Sequence, residues 1–348
     1  MDNGKKKALI TGITGQDGAY LAKLLLEKNY EVFGLVRRIS TPNFWRLHDL
    51  GITNKITFIS ADLSDMASLI DAVHKSNPDE IYNLAAHSFV GSSFNQPLYS
   101  ADVNGLGFLR ILEIVRKFNP SIKVYQASTS ELYGDSVNDH DSQNEETPFK
   151  PNSPYALPKL FSYELARIYR NAYGIFVCNG ILFNHESPLR GLEFVTRKIT
   201  NEVARIKFGL SKELVLGNLN PKRDWGYAPE YVELMWKILQ HHKPDDFVIA
   251  TGETHSIREF VEEAFKVAGL DWKLYVKFDE QYLRPSDVHY LRGDYSKAKR
   301  EMGWEPKVKF NELVKIMVEA DLEKWEKSLK SGAFAWDAPN HPGHVHYI

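Results

Sequence analysis

Tyr155 and Lys159, four residues apart, are the pair in this chain best suited to moving a proton. They stand in Ser153-Pro154-Tyr155-Ala156-Leu157-Pro158-Lys159, which reads as the opening of a helix, and residues at that spacing share a helix face. A tyrosine is a poor base near neutrality because its ordinary pKa is about 10. An ammonium one turn away stabilises the phenolate and is expected to lower that value. The chain holds 17 tyrosines, so this spacing carries weight only with support from elsewhere. Support comes from Ser128-Thr129-Ser130-Glu131, which follows the strand-like run Lys123 to Ala127. Ligands of open α/β sheets gather at the carboxyl ends of strands. Thr129 and Glu131 fall at such an end, with the Glu131 carboxylate expected inside the cleft.

Further upstream the residue types suit a dinucleotide. Lys7 to Thr11 is a short apolar run that stops in Gly12-Ile13-Thr14-Gly15-Gln16-Asp17-Gly18. A helical pattern (Ala19, Leu21, Ala22, Leu24, Leu25, Leu26) and the strand Glu31 to Val36 follow. Strand, glycine loop, helix and strand make a βαβ unit whose helix N-terminus attracts a pyrophosphate. The end of the second strand selects the cofactor. NAD-binding folds place a carboxylate there for the ribose. This chain has Arg37-Arg38 and then Ser40, and guanidinium groups match a 2′-phosphate. The reading is NADP. A third strand, Lys55 to Ile59, leads to Ala61-Asp62-Leu63, where Asp62 could meet the adenine amino group. The strand Glu80 to Leu84 leads to Ala85-Ala86-His87-Ser88, small enough to let backbone pass a ribose and nicotinamide.

These groups need a frame. The expected fold is α/β: a Rossmann-type doubly wound parallel sheet with a smaller mixed α/β substrate-binding lobe. Further elements are helices over Asp65 to Lys75, Gln96 to Phe118 and Tyr155 to Tyr173, and a strand over Ile175 to Leu182. The division is expected at 1–182 for cofactor and 183–348 mainly for substrate, with a strand near 247–251 rejoining the first part. After Phe183 come aromatic and arginine loops, a helical stretch from Phe194 to Phe208, the loop Leu283 to Asp287 and a closing helix from Phe310 to Leu329. With 348 residues, 43 % hydrophobic and 25 % charged, and a net charge of −2, nothing favours nucleic acid as a partner. The single Cys178 excludes an intrachain disulfide and fits a reducing cytoplasm. No run is long enough to span a bilayer. The stretch from Ala333 to Ile348 contains His341, His344 and His346 and reads as a docking or disordered tail rather than a metal site.

In this order, the glycine loop, arginine pair, Thr-Ser-Glu and Tyr-x-x-x-Lys resemble the extended short-chain dehydrogenase/reductases that modify nucleotide sugars. More narrowly the chain is similar to the GDP-mannose 4,6-dehydratase family from about Lys7 to Leu322. Gly-Ile-Leu-Phe-Asn-His-Glu-Ser-Pro (180–188) and Lys-Arg-Asp-Trp-Gly (222–226) are the most specific stretches. The resemblance implies that Gly12, Ile13, Thr14, Gly15, Gln16, Asp17, Arg37, Arg38, Asp62, Leu63, Leu84, Ala86, Ser88, Tyr99, Lys159, His185 and Arg190 line NADP, beside Ser40, Ala85 and His87. It implies Thr129, Glu131 and Tyr155, with Lys159, as catalytic. Ser88, Asn184, Val195, Lys198, Arg223 and Arg284 would hold the GDP-sugar.

The resemblance further implies a cytoplasmic homo-oligomer, a dimer of dimers. The reaction would be oxidation at C4, loss of water across C5/C6 and hydride return to C6. Ser130, where thymidine-diphosphate-glucose dehydratases have Asp, favours the GDP branch. Leu157-Pro158 replaces the family's small residues and Asn152 an arginine, which leaves GDP-mannose, a GDP-manno-heptose and other GDP-hexoses open. A 4-epimerase or 4-keto-reductase on the same fold would need Tyr155 and Lys159 but no C5 base.

Overall fold

The computed structural model describes residues 4–40, 43–282, 285–332 and 346–347. Arg284, expected at the substrate, and the tail residues His341 and His344 lie outside them, as does the His346 side chain.

Six successive strands form the body of one sheet: β1 (Lys7–Thr11), β2 (Glu31–Val36), β3 (Thr57–Ser60), β4 (Glu80–Asn83), β5 (Lys123–Ala127) and β6 (Val177–Leu182). Two more join from later in the chain, β11 (Phe247–Ile249) and β14 (His346–Tyr347). The order is β11-β6-β5-β4-β1-β2-β3-β14 and every neighbouring pair is parallel. The order reverses between β1 and β4, the switch point where doubly wound sheets open a crevice. Side chains alternate across it. Ala8 and Ile10 enter one core and Leu9 the other, so both faces must be covered. One face carries α1 (Gln16–Glu27), α2 (Trp45–Asp49) and α9 (Ala228–Gln240), through Leu21, Leu25, Leu47 and Ile238. The other carries α3 (Met66–Ser76), α6 (Gly107–Phe118) and α7 (Ala156–Tyr173), through Leu69, Phe108, Ile111 and Ala166.

A separate core fills the second lobe. There α8 (Val195–Lys207), α10 (Ile257–Val267) and α12 (Phe310–Ser331) pack around Ile199, Phe260 and Met317, against β8 (Leu214–Leu216) and Trp225 of β10 (Trp225–Tyr227). Short pairs complete it: β10 with β7 (Asn184–Glu186), β9 (Lys222–Arg223) with β12 (His255–Ser256), and β8 with β13 (Val276–Phe278). Between Val90 and Phe118 lie α4 (Val90–Ser93) and α5 (Pro97–Ala101), and α11 (Ser296–Met302) precedes α12.

Three expectations shift. The third strand starts at Thr57, because Thr53–Lys55 turns as a 3-10 segment. The strand expected from Ile175 starts at Val177. The helix expected over 96–118 is α5 and α6 joined through a π turn at Asp102–Leu106. That turn is a packing device: Ser162 of α7 donates to the Asn104 carbonyl (2.6 Å), and a side chain at Gly105 would meet Phe161 and Pro158 at 3.2 and 3.4 Å. Pro158 is the third residue of α7, where its missing N–H costs no helical bond. Leu157 is 62 % exposed and Pro158 faces the π turn, so the departure at these two positions alters the α5–α7 packing.

Candidate active site

The strand ends are tied together by buried polar side chains. The Thr11 hydroxyl donates to Asn83 Oδ1 (2.8 Å) and accepts from the Leu84 and Ala85 amides (3.0 Å each). Asn83 Nδ2 donates to Gln126 Oε1 (2.7 Å), which binds β4 to β5. Gly12, at φ +70°, lies against this junction; a Cβ there would stand 2.8 Å from the Ala85 nitrogen. Glycine is required, and the loop presses onto the very segment, Leu84-Ala85-Ala86, expected along the cofactor. Asn104 then holds His87 by both backbone groups, at 2.7 and 3.2 Å. The His87 ring meets Ser92 Oγ (2.7 Å) and stands edge-on to Tyr99 (5.2 Å), whose hydroxyl contacts Arg37. Burial holds the His87 imidazole below its ordinary pKa. Three expected cofactor residues from separate elements thus meet. Arg38, Ser40 and Ser88 are exposed beside them. Asp62 Oδ1 accepts from the Ser64 amide and hydroxyl (2.9 and 2.7 Å), and Leu63 is buried.

Gly15 is the N-cap of α1, leaving the first-turn amides of Gln16 and Asp17 pointed out of the helix start. Their side chains face β7. Gln16 donates to the His185 carbonyl (3.1 Å) and accepts from Ser187 (2.7 Å), and His185 Nε2 lies 2.8 Å from Asp17 Oδ2. Burial opposes both charges, yet each raises or lowers the other's pKa toward the ion pair: His185 stands above its ordinary value and Asp17 below. Arg46 of α2 donates to the carbonyls of Thr14 (3.1 Å) and Leu189 (2.6 Å), closing the same seam. A glycine cradle at a helix start, with cationic Arg37 at the next strand end, fits a dinucleotide with an anionic backbone.

Thr129 caps the 3-10 turn Ser130–Tyr133 by accepting from the Glu131 amide (3.3 Å), and it stands close enough to Tyr155 to act on its hydroxyl. Ser153 starts α7 by accepting from the Ala156 amide (3.1 Å). Thr129, Glu131, Tyr155 and Lys159 are all buried. Lys159 Nζ donates to the Ala127 carbonyl (2.9 Å) at the end of β5, so the lysine straps helix to strand. The expected lowering of the tyrosine is reversed here. Burial pushes Tyr155 up to about 12, with the Thr129 hydroxyl opposing and the Glu131 charge adding to it. Burial also pushes Lys159 down to about 8, since its amine faces a carbonyl and not a carboxylate. Desolvation is the largest influence on both groups. The arrangement still places a proton donor–acceptor, a hydroxyl and a carboxylate together between the carboxyl end of β5 and the start of α7.

A family model, GDP-mannose 4,6 dehydratase, matches residues 9–317. The chain belongs to the GDP-mannose 4,6-dehydratase family. It is 50 % identical to GDP-mannose 4,6 dehydratase 1 of Arabidopsis thaliana, over 97 % of this chain and 96 % of that one. It is 48 % identical to the Homo sapiens GDP-mannose 4,6 dehydratase, covering 93 % of each. Among solved structures it is similar to dTDP-glucose 4,6-dehydratase from Bacillus anthracis in complex with NAD (TM-score 0.80, 23 % identity, 94 % of this chain and 98 % of that one). It is also similar to UDP-glucose 4-epimerase from Thermotoga maritima with UDP-glucose (TM-score 0.80, 25 % identity, 92 % and 99 %). These establish the Rossmann-type short-chain dehydrogenase/reductase fold.

In this member of the GDP-mannose 4,6-dehydratase family, two of the residues expected at the nucleotide sugar, Arg223 and Lys198, are engaged with protein partners. Arg223 pairs with Asp287 (2.8 Å), and Lys198 donates to the Val215 carbonyl (2.7 Å) with its ammonium 3.8 Å over the Tyr282 ring. Val195 opens α8, half-buried, and Asn184 Oδ1 is buried without a hydrogen-bond partner, a vacancy suited to a ligand hydroxyl. Sequence reasoning passed over Thr11, Asn104, Glu186 and Asp287. Glu186 lay inside the stretch 180–188 already singled out as specific, and Asp287 closed the loop Leu283 to Asp287, where a carboxylate between Arg284 and Arg292 was the available signal. Among the described residues no group of three or more His, Cys, Asp or Glu could hold a metal, and no helix is long and apolar enough to cross a membrane.

Proposed function

We propose that this chain is an NADP-dependent GDP-mannose 4,6-dehydratase, a hydro-lyase making GDP-4-keto-6-deoxymannose. The observation that carries the reading is the buried group of Glu131, Thr129 and Tyr155, in a chain half identical along its length to a curated GDP-mannose 4,6 dehydratase. A nicotinamide bound along Gly12–Asp17 and Leu84–Ser88 supplies reversible hydride acceptance. Tyr155 takes the proton of the sugar C4 hydroxyl only as the phenolate, the minor form that the Lys159 charge one turn away favours, with Thr129 orienting that oxygen. The resulting 4-keto group acidifies C5–H. Glu131 removes the C5 proton and returns a proton to the C6 hydroxyl as it leaves as water; the hydride taken from C4 would then return to C6 while C5 takes a solvent-derived proton, which gives the 4-keto-6-deoxy sugar with no net use of cofactor. Arg223 and Lys198 meet the diphosphate and keep the pyranose in register.

Preference for NADP rests on Arg37 and Arg38 at the end of β2, where no carboxylate stands. A homo-oligomer, in the form of a dimer of dimers, is supported by an apolar face over α5 to α7: Leu98, Leu106, Leu157, Phe161 and Ile168 are all exposed, Leu98 by 85 %. A free, buried Cys178 suits the cytoplasm. Residues 1–182 with β11 act as the cofactor unit and 183–348 mainly as the sugar unit.

The test follows labels. With C4-deuterated GDP-mannose in water, the product should carry deuterium at C6; with unlabelled substrate in deuterium oxide, it should carry deuterium at C5. Absence of the C4-to-C6 transfer rejects dehydration by this route, and a product epimeric at C4 without loss of water would point to the 4-epimerase alternative.

A further inference from the structure

Strand β7 runs between the residues read as cofactor-binding and those read as substrate-binding, and its last residue touches both. Glu186 is 2 % exposed. Its Oε2 accepts from the Thr196 hydroxyl at 2.6 Å and lies 3.2 Å from Arg190 Nε, a charge contact rather than an aligned hydrogen bond. Thr196 sits in the first turn of α8, between Val195 and Lys198 of the sugar site. Arg190 belongs to the cofactor side, with its guanidinium 3.6 Å over the Phe194 ring and close enough to Asp17 and Tyr155 to influence both. A second strap runs in parallel: Arg197 Nε donates to the Arg190 carbonyl (3.3 Å), and its Nη1 meets Asp321 at 2.6 and 2.7 Å.

A carboxylate this buried cannot fall back on water when a partner moves, since an uncompensated buried charge is far more costly than a compensated one. Displacement of Arg190 by a cofactor phosphate or of α8 by a nucleotide is therefore felt at the other end of Glu186. We propose that Glu186 is a positioning residue that holds Arg190 and the first turn of α8 in one register, so that occupancy of the cofactor and nucleotide-sugar sites is energetically coupled. It rests on the reading of those two sites given above.

Coupling is measured as the ratio of NADP affinities, by calorimetry, without and with saturating GDP. The unaltered chain should show a ratio of about fivefold or more, the usual lower range for linked sites. Thr196→Val removes one hydroxyl with no change of charge and almost none of volume. It should bring the ratio to about one, and Thr196→Ser, which keeps the donor, should restore it. Glu186→Gln should act like Thr196→Val. A residue with only a structural role would lower the melting temperature and leave the ratio alone. If both nucleotides bind and the ratio is one in the unaltered chain, or survives in Thr196→Val, the positioning role is wrong while the site reading stands. If the unaltered chain binds neither NADP nor GDP, the site reading fails and this proposal with it.

Discussion

The buried cluster proposed as catalytic and the cationic groups proposed to meet phosphate are built on different principles. Thr129, Glu131, Tyr155 and Lys159 are sunk at the junction of β5 and α7, where backbone fixes each of them and burial displaces the tyrosine and the lysine from their ordinary pKa values. Arg37 and Arg38 follow the end of β2, Lys198 lies in the first turn of α8 and Arg223, itself buried, ends β9; the structure gives three of them a protein partner, Tyr99, the Val215 carbonyl and Asp287. A group that must exchange a proton needs a low-dielectric setting that magnifies small changes in charge. A group that must grip a phosphate needs its charge intact and a partner it can release. Shielding serves the first task, and substitutable contacts serve the second.

The sharpest challenge to that contrast is Glu131→Gln. It should still bind nucleotide and cofactor, while dehydration falls by about 10²–10⁴-fold, the usual worth of positioned acid–base help. Single-turnover product analysis separates the two, and unchanged dehydration would remove Glu131 from the chemistry. Next in size, replacing Arg37 and Arg38 together by Gln should weaken NADP by about 2–4 kcal/mol and NAD hardly at all, because charge-assisted bonds to the 2′-phosphate are lost. Equal loss for both cofactors in fluorescence titration would mean that the pair does not read the phosphate.

Arg223→Ala should raise KM for the GDP-sugar by about ten- to a hundredfold with kcat largely kept, since ground and transition states share the contact. A collapse of kcat at constant KM would move Arg223 from the cationic groups into the cluster. The smallest effect concerns pH. Lys159 titrates at about 8 in the folded chain against an ordinary 10.5. Between those values the unfolded chain holds a proton that the folded one lacks, so stability contributed by this group rises with pH, by up to about 1.4 kcal/mol per unit. It is fully present above the unfolded value and gone below the folded one. Urea unfolding at pH 8, 9 and 10 should show this slope in the unaltered chain and not in Lys159→Met; parallel profiles would contradict the depressed lysine.

The sheet body and the burial of Thr129, Glu131, Tyr155 and Lys159 at neighbouring element ends were legible in the sequence because both are local in their signals. Apolar runs ending in Gly12, Ala85 or Ser128 mark strand ends, and strand ends mark the site. Element starts were less legible, as at Thr57 and Val177, because tertiary turns decide where pairing begins. The charge state of Tyr155 was misjudged for a similar reason: spacing shows that Lys159 lies one turn away, but not that both are desolvated. Partners such as Asp287 for Arg223 come from distant parts of the chain, and only the fold reveals which carboxylate meets which guanidinium.

The two outer strands of the sheet have a consequence for how the molecule assembles. Both β11 and β14 are synthesised after the body of the sheet, and they cap its opposite edges by pairing with β6 and β3. Until they arrive, each edge presents unpaired backbone groups able to template another chain. Their long sequence separation makes the final pairings slow. Any form of the chain in which the sheet body had folded without these two strands would leave both flanks adhesive, so crowding or a chaperone would bear on its yield.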